Sequence, residues 1–88
     1  MNNLRRKEIS AVADKLDSLQ DLLSEIKEAI EAIRDDEQEY YDNMPEGLQG
    51  SDRGYRAEES ISQLDDAASM LDDLDVDTLR GNLETAAE

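Results

Sequence analysis

The stretch ISAVADKLDSLQDLLSEIKEAIEAI, residues 9–33, decides the fold. Its apolar residues recur at alternating spacings of three and four, the heptad pattern that places a narrow apolar seam along a long helix. Glu37 and Tyr40 continue the register, and no Gly or Pro occurs before Pro45. The pattern therefore predicts one long helix. With Ile9 at heptad position a, the a residues are Ile9, Leu16, Leu23 and Ile30, and the d residues are Val12, Leu19, Ile26 and Ile33.

The rest of the chain predicts a loop and two shorter helices. Residues 43–54 hold the only proline and three of the four glycines, which favours an ordered loop. Ser51 is the expected N-cap of the next helix, with its hydroxyl accepting from free backbone amides, and Asp75 or Asp77 is expected to cap the last one. The predicted all-α domain of residues 1–88 comprises a long helix at about 4–42, a loop at 43–51, a second helix at 52–74 and a short third helix at 76–87.

The apolar seam is longer than its partner within the chain. A helix over residues 52–74 can cover only about half of the seam at 1.5 Å per residue. The remainder must meet the C-terminal helix or another copy of the chain. We therefore expect the helical hairpin to self-associate into a bundle through the eight a and d residues, with a closed three-helix monomer as the alternative.

The composition excludes several classes of protein. The chain has 24 acidic and 9 basic side chains, a net charge of -15, and neither Cys nor His. Disulfides, Cys/His zinc sites and Ser-His or Cys-His nucleophile pairs are therefore impossible. The negative charge disfavours binding to nucleic acid or anionic lipid. No segment resembles a signal peptide or a membrane span, so we expect a cytoplasmic protein.

Two enzyme-like or metal-binding patterns have simpler explanations. Glu25 and Glu28 have the E-x-x-E spacing of magnesium-dependent all-α pyrophosphohydrolases, but such spacings are common in acidic helices. Residues 73–84 place acids at calcium-loop positions, yet the sixth position is Thr78 where the turn needs Gly. We therefore expect neither catalysis, nor a cofactor, nor a metal site.

The loop and its flanks hold the residues that could bind a small molecule. All three tyrosines lie there, as do the only two cations between Asp35 and Thr78. Tyrosine rings stack on bases, arginines bind phosphate with a bidentate fork, and amide side chains can read a base edge. A capped turn held by ion pairs is the alternative explanation. The predicted ligand-binding residues are Tyr41, Asn43, Gln49, Ser51, Arg53, Tyr55 and Arg56.

The acidic C-terminal half suggests a different function. Residues 1–34 have a net charge of -1, so nearly all the excess negative charge follows them. Such a surface often only aids solubility. It also suits an inhibitor that presents carboxylates to a basic, nucleic-acid-binding surface, using Asp65, Asp66, Asp72 and Asp73. A structural adaptor held by the heptad seam is a third possibility.

The segment from Asp35 onward, DDEQEYYDNMPEGLQGSDRGYRAEESISQLDDA, resembles a stretch found in short acidic proteins of phages and prophages. In those proteins an E-Q-E-aromatic segment leads into D-N-[ML]-P-E-x-L-Q-x-S-[DE]-[RK]-G and then a helix. The resemblance covers about residues 35–72 and implies a phage context and a helical hairpin. We therefore expect a non-enzymatic anti-defence protein that sequesters a nucleotide-derived signal in the host cytoplasm, with the acidic inhibitor, similar to an anti-CRISPR protein, as the alternative.

Overall fold

The computed structural model describes all 88 residues and contains four helices and no strand. The predicted all-α class is therefore confirmed. The four helices are α1 (Asn3–Asp42), α2 (Glu46–Gln49), α3 (Asp52–Asp72) and α4 (Val76–Ala87). The predicted loop thus contains a short helix, and the second long helix ends two residues before its predicted end.

Local signals explain where α1 begins and ends. The side-chain oxygen of Asn2 accepts from the backbone N–H of Arg5 at 2.8 Å, which satisfies one free amide of the first turn. Pro45 disfavours helical backbone at Met44, and the Met44 N–H instead closes a turn on the Tyr41 carbonyl at 3.1 Å. The heptad segment therefore forms one helix of 40 residues.

The chain divides into two compact units, and the first contains residues 1–25 and 74–88. This unit comprises the first part of α1 together with α4. The expectation that residues 1–88 form a single domain stays a prediction. Arg80 forms an ion pair with Asp17, and Arg6 donates to the carbonyl of Ala87 at 2.9 Å. The buried side chains of this unit are Ala13, Leu16 and Val76.

Asp75 caps α4, as one of the two sequence alternatives expected. Its carboxylate accepts from the Thr78 backbone N–H at 2.9 Å and from the Thr78 hydroxyl at 2.7 Å. These hydrogen bonds, led by the one from the hydroxyl, lower the pKa of Asp75 because they favour its charged form. Cap and charge therefore stabilise the start of α4 together.

The second unit, residues 26–73, is a helical hairpin made of the rest of α1, α2 and α3. Three pairs of polar side chains, which we call the polar ladder, join α1 to α3 along one side. Successive pairs are seven residues apart on each helix, and the residue numbers rise along α1 as they fall along α3. A slip of α3 by one turn would therefore break all three pairs. Exposed pairs of this kind add little stability, but they specify the antiparallel register. The pairs are Lys27–Asp72 at 2.7 Å, Arg34–Asp65 at 2.9 Å, and Tyr41–Glu58.

The base of the hairpin is held by a close approach of two backbones. A Cβ added at Gly54, in the first turn of α3, would collide with the backbone carbonyl of Gln49 at the end of α2. No residue has a positive φ, so Gly54 is required here by lack of space and not by an unusual backbone angle. Gln49 donates through Nε2 to the Tyr41 carbonyl at 3.1 Å, and Met44 is buried beneath the turn.

Candidate functional site

The two rows of the predicted seam on α1 have different environments. Of the a residues, Leu16 is buried and Ile9, Leu23 and Ile30 are half-buried within the chain. The d residues are all exposed, with 40% to 57% of each accessible to solvent. The predicted interface of eight residues is thus divided, with only its d half open to a partner. We call the exposed set the d row: Val12, Leu19, Ile26, Ile33 and Tyr40.

The side of α1 that packs inside the chain explains this division. At about 100° per residue, position e lies roughly 40° from position a on one side and position d roughly 60° away on the other. The e residues Lys27, Arg34 and Tyr41 are half-buried and form the polar ladder. Packing is therefore centred between a and e, which leaves position d facing outward.

Further apolar surface lies beside the d row. Leu22, at the neighbouring g position, is 51% exposed. In the first unit, a cleft of about 340 Å³ is lined by Val12, Ile9 and Leu83. Exposed apolar residues are ordinary when scattered, but a row in one register on one helix is typical of an interaction surface.

Three of the seven predicted ligand-binding residues are used in hydrogen bonds within the hairpin. Tyr41 donates its hydroxyl to the Glu58 carboxylate, which raises the pKa of the phenol. Gln49 donates to the Tyr41 carbonyl, as described above. Ser51 lies at the N-cap of α3, but its hydroxyl donates to the Leu48 carbonyl and accepts from no backbone amide, contrary to the prediction. Asn43 is exposed in the turn after α1.

The structure brings the two arginines together with a different tyrosine. Arg53 and Arg56 line a cleft of about 370 Å³ with Tyr40, Glu37 and Asp52. Neither arginine forms an ion pair or side-chain hydrogen bond within the chain. The other five predicted ligand-binding residues do not line this cleft, and Tyr55 is 60% exposed outside it.

Sequence reasoning missed the contribution of Tyr40 to this cleft because the residue continues the heptad. Its place in the last turn of α1, next to the loop that leads to α3, was the signal that could have placed it near Arg53. The cleft therefore combines two cations, an aromatic ring and two carboxylates, a set that can hold a compact anionic or zwitterionic group.

The carboxylates proposed for an inhibitory surface fall into two groups. Asp65 and Asp72 are paired with Arg34 and Lys27, and the hydrogen bond that the Lys27 ammonium donates to Asp72 raises the pKa of Lys27. Asp66 and Asp73 are exposed and have no cationic partner within the chain.

No group of three or more Asp, Glu, His or Cys side chains is placed to hold a metal ion. Of the acids with calcium-loop spacing, Asp75 is the N-cap of α4, Asp73 is the C-cap of α3, and Glu84 pairs with Arg80 at 3.1 Å.

Comparisons with family models, with curated proteins and with solved structures give no match to this chain. The resemblance of residues 35–72 to short acidic phage proteins stays a prediction. None of the four helices combines the length and the apolar character needed to cross a membrane.

Proposed function

We propose that the protein is a non-enzymatic binding protein that self-associates through the d row of α1. The observation that carries this proposal is the exposure of five apolar side chains in one unbroken register. From Val12 to Tyr40 the row spans 28 residues, or about 42 Å at 1.5 Å per residue. Removing apolar area from water contributes roughly 25 cal/mol per Å², so a matching row on another helix would stabilise an assembly.

Neighbouring substitutions on α1 test this proposal. Ile33→Asp places a charge in the d row, whereas Ala32→Asp places the same charge on an exposed position about 100° away. Light scattering at several concentrations should show that Ile33→Asp weakens self-association while Ala32→Asp leaves it unchanged. Equal masses for both variants and the unaltered chain would contradict the assignment of the d row.

The ligand in this proposal is a nucleotide-derived defence signal, bound in the cleft of Arg53, Arg56 and Tyr40. Two arginines without an internal partner line this cleft, and they support binding of phosphate. The resemblance to phage proteins supports an anti-defence role in the cytoplasm of the host cell.

Thermal-shift measurements with linear and cyclic nucleotides test the ligand separately from the assembly. A bound nucleotide at about 100 times its dissociation constant adds roughly 2.7 kcal/mol to the free energy of unfolding. Replacing Arg53 and Arg56 with Ala should remove the shift. The matched control replaces Arg5 and Lys7, two exposed cations of the first unit, with Ala. This control should retain the thermal shift caused by the nucleotide. A shift that survives the first double substitution would exclude this cleft.

The acidic inhibitor stays the alternative, with weaker support. Two of its four carboxylates already pair with cations inside the chain, which leaves Asp66 and Asp73 for a basic partner. A complex with such a partner should weaken steeply with salt.

A further inference from the structure

We propose that two copies of the chain pack their d rows antiparallel, with Ile26 on the twofold axis. This inference rests on the proposed self-association and adds the identity of the partner and its direction. In this arrangement Val12 faces Tyr40 of the second copy, and Leu19 faces Ile33. Ile26 faces its own counterpart.

The spacing of the d row makes this pairing complete. Leu19 and Ile33 each lie seven residues from Ile26, and Val12 and Tyr40 each lie fourteen residues from it. At 1.5 Å per residue these distances are about 10 Å and 21 Å on both sides. Every exposed d residue therefore meets another at the same height, and none is left facing solvent.

Charges beside the row favour the antiparallel direction. In an antiparallel pair the g positions of the two helices face each other. Lys15 and Asp36 are exposed g residues, 11 and 10 residues from Ile26, so Lys15 of each copy lies opposite Asp36 of the other. Neither has an ion-pair partner within the chain. A parallel pair would instead bring position g against position a, and so Asp36 against Glu37.

Thiol cross-linking can determine the direction because the chain has no natural cysteine. Ile26→Cys should be joined to its counterpart by a short bifunctional thiol reagent in either direction. Leu19→Cys and Ile33→Cys should each remain uncross-linked alone and give a cross-linked heterodimer when mixed. In the antiparallel pair, two copies of residue 19 are about 21 Å apart, beyond a short reagent. Ser18→Cys, exposed outside the row, supplies the background.

The outcomes separate this inference from the proposal beneath it. If Ile26→Cys and Leu19→Cys each cross-link alone, the chain self-associates through the d row in parallel, and only the antiparallel inference is overturned. If no variant exceeds the Ser18→Cys background, self-association through the d row is overturned as well.

A charge reversal gives a second test on the unlabelled protein. Lys15→Asp should raise the dissociation constant of the pair roughly two- to thirtyfold, since two exposed ion pairs are lost by symmetry. Adding Asp36→Lys should restore it. A double variant as weak as the single one would contradict the pairing of Lys15 with Asp36.

Discussion

The base of the helical hairpin should be unusually sensitive to a single added methyl group. Gly54→Ala places a Cβ where the backbone carbonyl of Gln49 lies, so α2 and α3 must move apart. Gln49 also donates to the Tyr41 carbonyl, and its displacement would loosen the turn that follows α1. The substitution therefore strains the hairpin where its two arms are joined.

The expected cost follows from two opposing effects. Replacing Gly by Ala in a helix gains up to about 1 kcal/mol. Overpacking a close contact costs about 1–3 kcal/mol, and the upper value applies because the obstacle is a backbone carbonyl and not a flexible side chain. Gly54→Ala should therefore lose about 2 kcal/mol of unfolding free energy, or roughly 10 °C in melting temperature for a chain of this size.

Gly47→Ala is the matched control for this measurement. It makes the same chemical change in the same unit, and the added Cβ would meet nothing within 4 Å. Urea unfolding followed by circular dichroism, at one protein concentration, should show Gly54→Ala clearly less stable than Gly47→Ala. Equal stability of the two variants would refute the close approach of α2 to α3.

Three further perturbations have defined outcomes. Met44→Ala removes a buried side chain from the turn and should cost about 2 kcal/mol in urea unfolding, a loss that no exposed loop residue would produce. The hydrogen bond from Tyr41 to Glu58 raises the pKa of the phenol. Its contribution to the free energy of unfolding should therefore be constant near neutrality and disappear as pH rises above about 10. Tyr41→Phe should abolish this part of the alkaline unfolding curve. The lowered pKa of Asp75 means that its cap stabilises α4 above the ordinary Asp pKa and is lost as pH falls through the lowered pKa. Melting curves of Asp75→Asn should lack this acid-dependent component.

The long helix and the all-α class could be predicted from the sequence because a heptad of eight residues admits few other structures. The division of that heptad into a covered and an exposed row could not. The division depends on whether position d or position e, on either side of position a, packs inside the chain. Lys27 and Arg34 bring position e inside because they pair with residues of α3. Those pairs join residues 31 to 45 apart in sequence, and charged residues at such separations give no local signal.

The candidate site was only partly predictable for a similar reason. Composition shows that the tyrosines and two arginines gather around the loop, but it does not show which of them share a cleft. Tyr40 and Tyr41 are consecutive on a helix, so their side chains point about 100° apart. Which of the two lies beside Arg53 depends on the side of α1 against which α3 packs, and in the structure it is Tyr40. Gln49 and Ser51 are used in the turn because short polar side chains readily hydrogen-bond nearby backbone groups.

The most direct test of the central claim is the mass of the unaltered chain in solution. Sedimentation equilibrium over a range of concentrations should give a species of twice the 9.9 kDa chain mass that dissociates only on dilution. A single species of 9.9 kDa at every concentration would contradict it, because the d row would then remain exposed to water with no partner of its own kind.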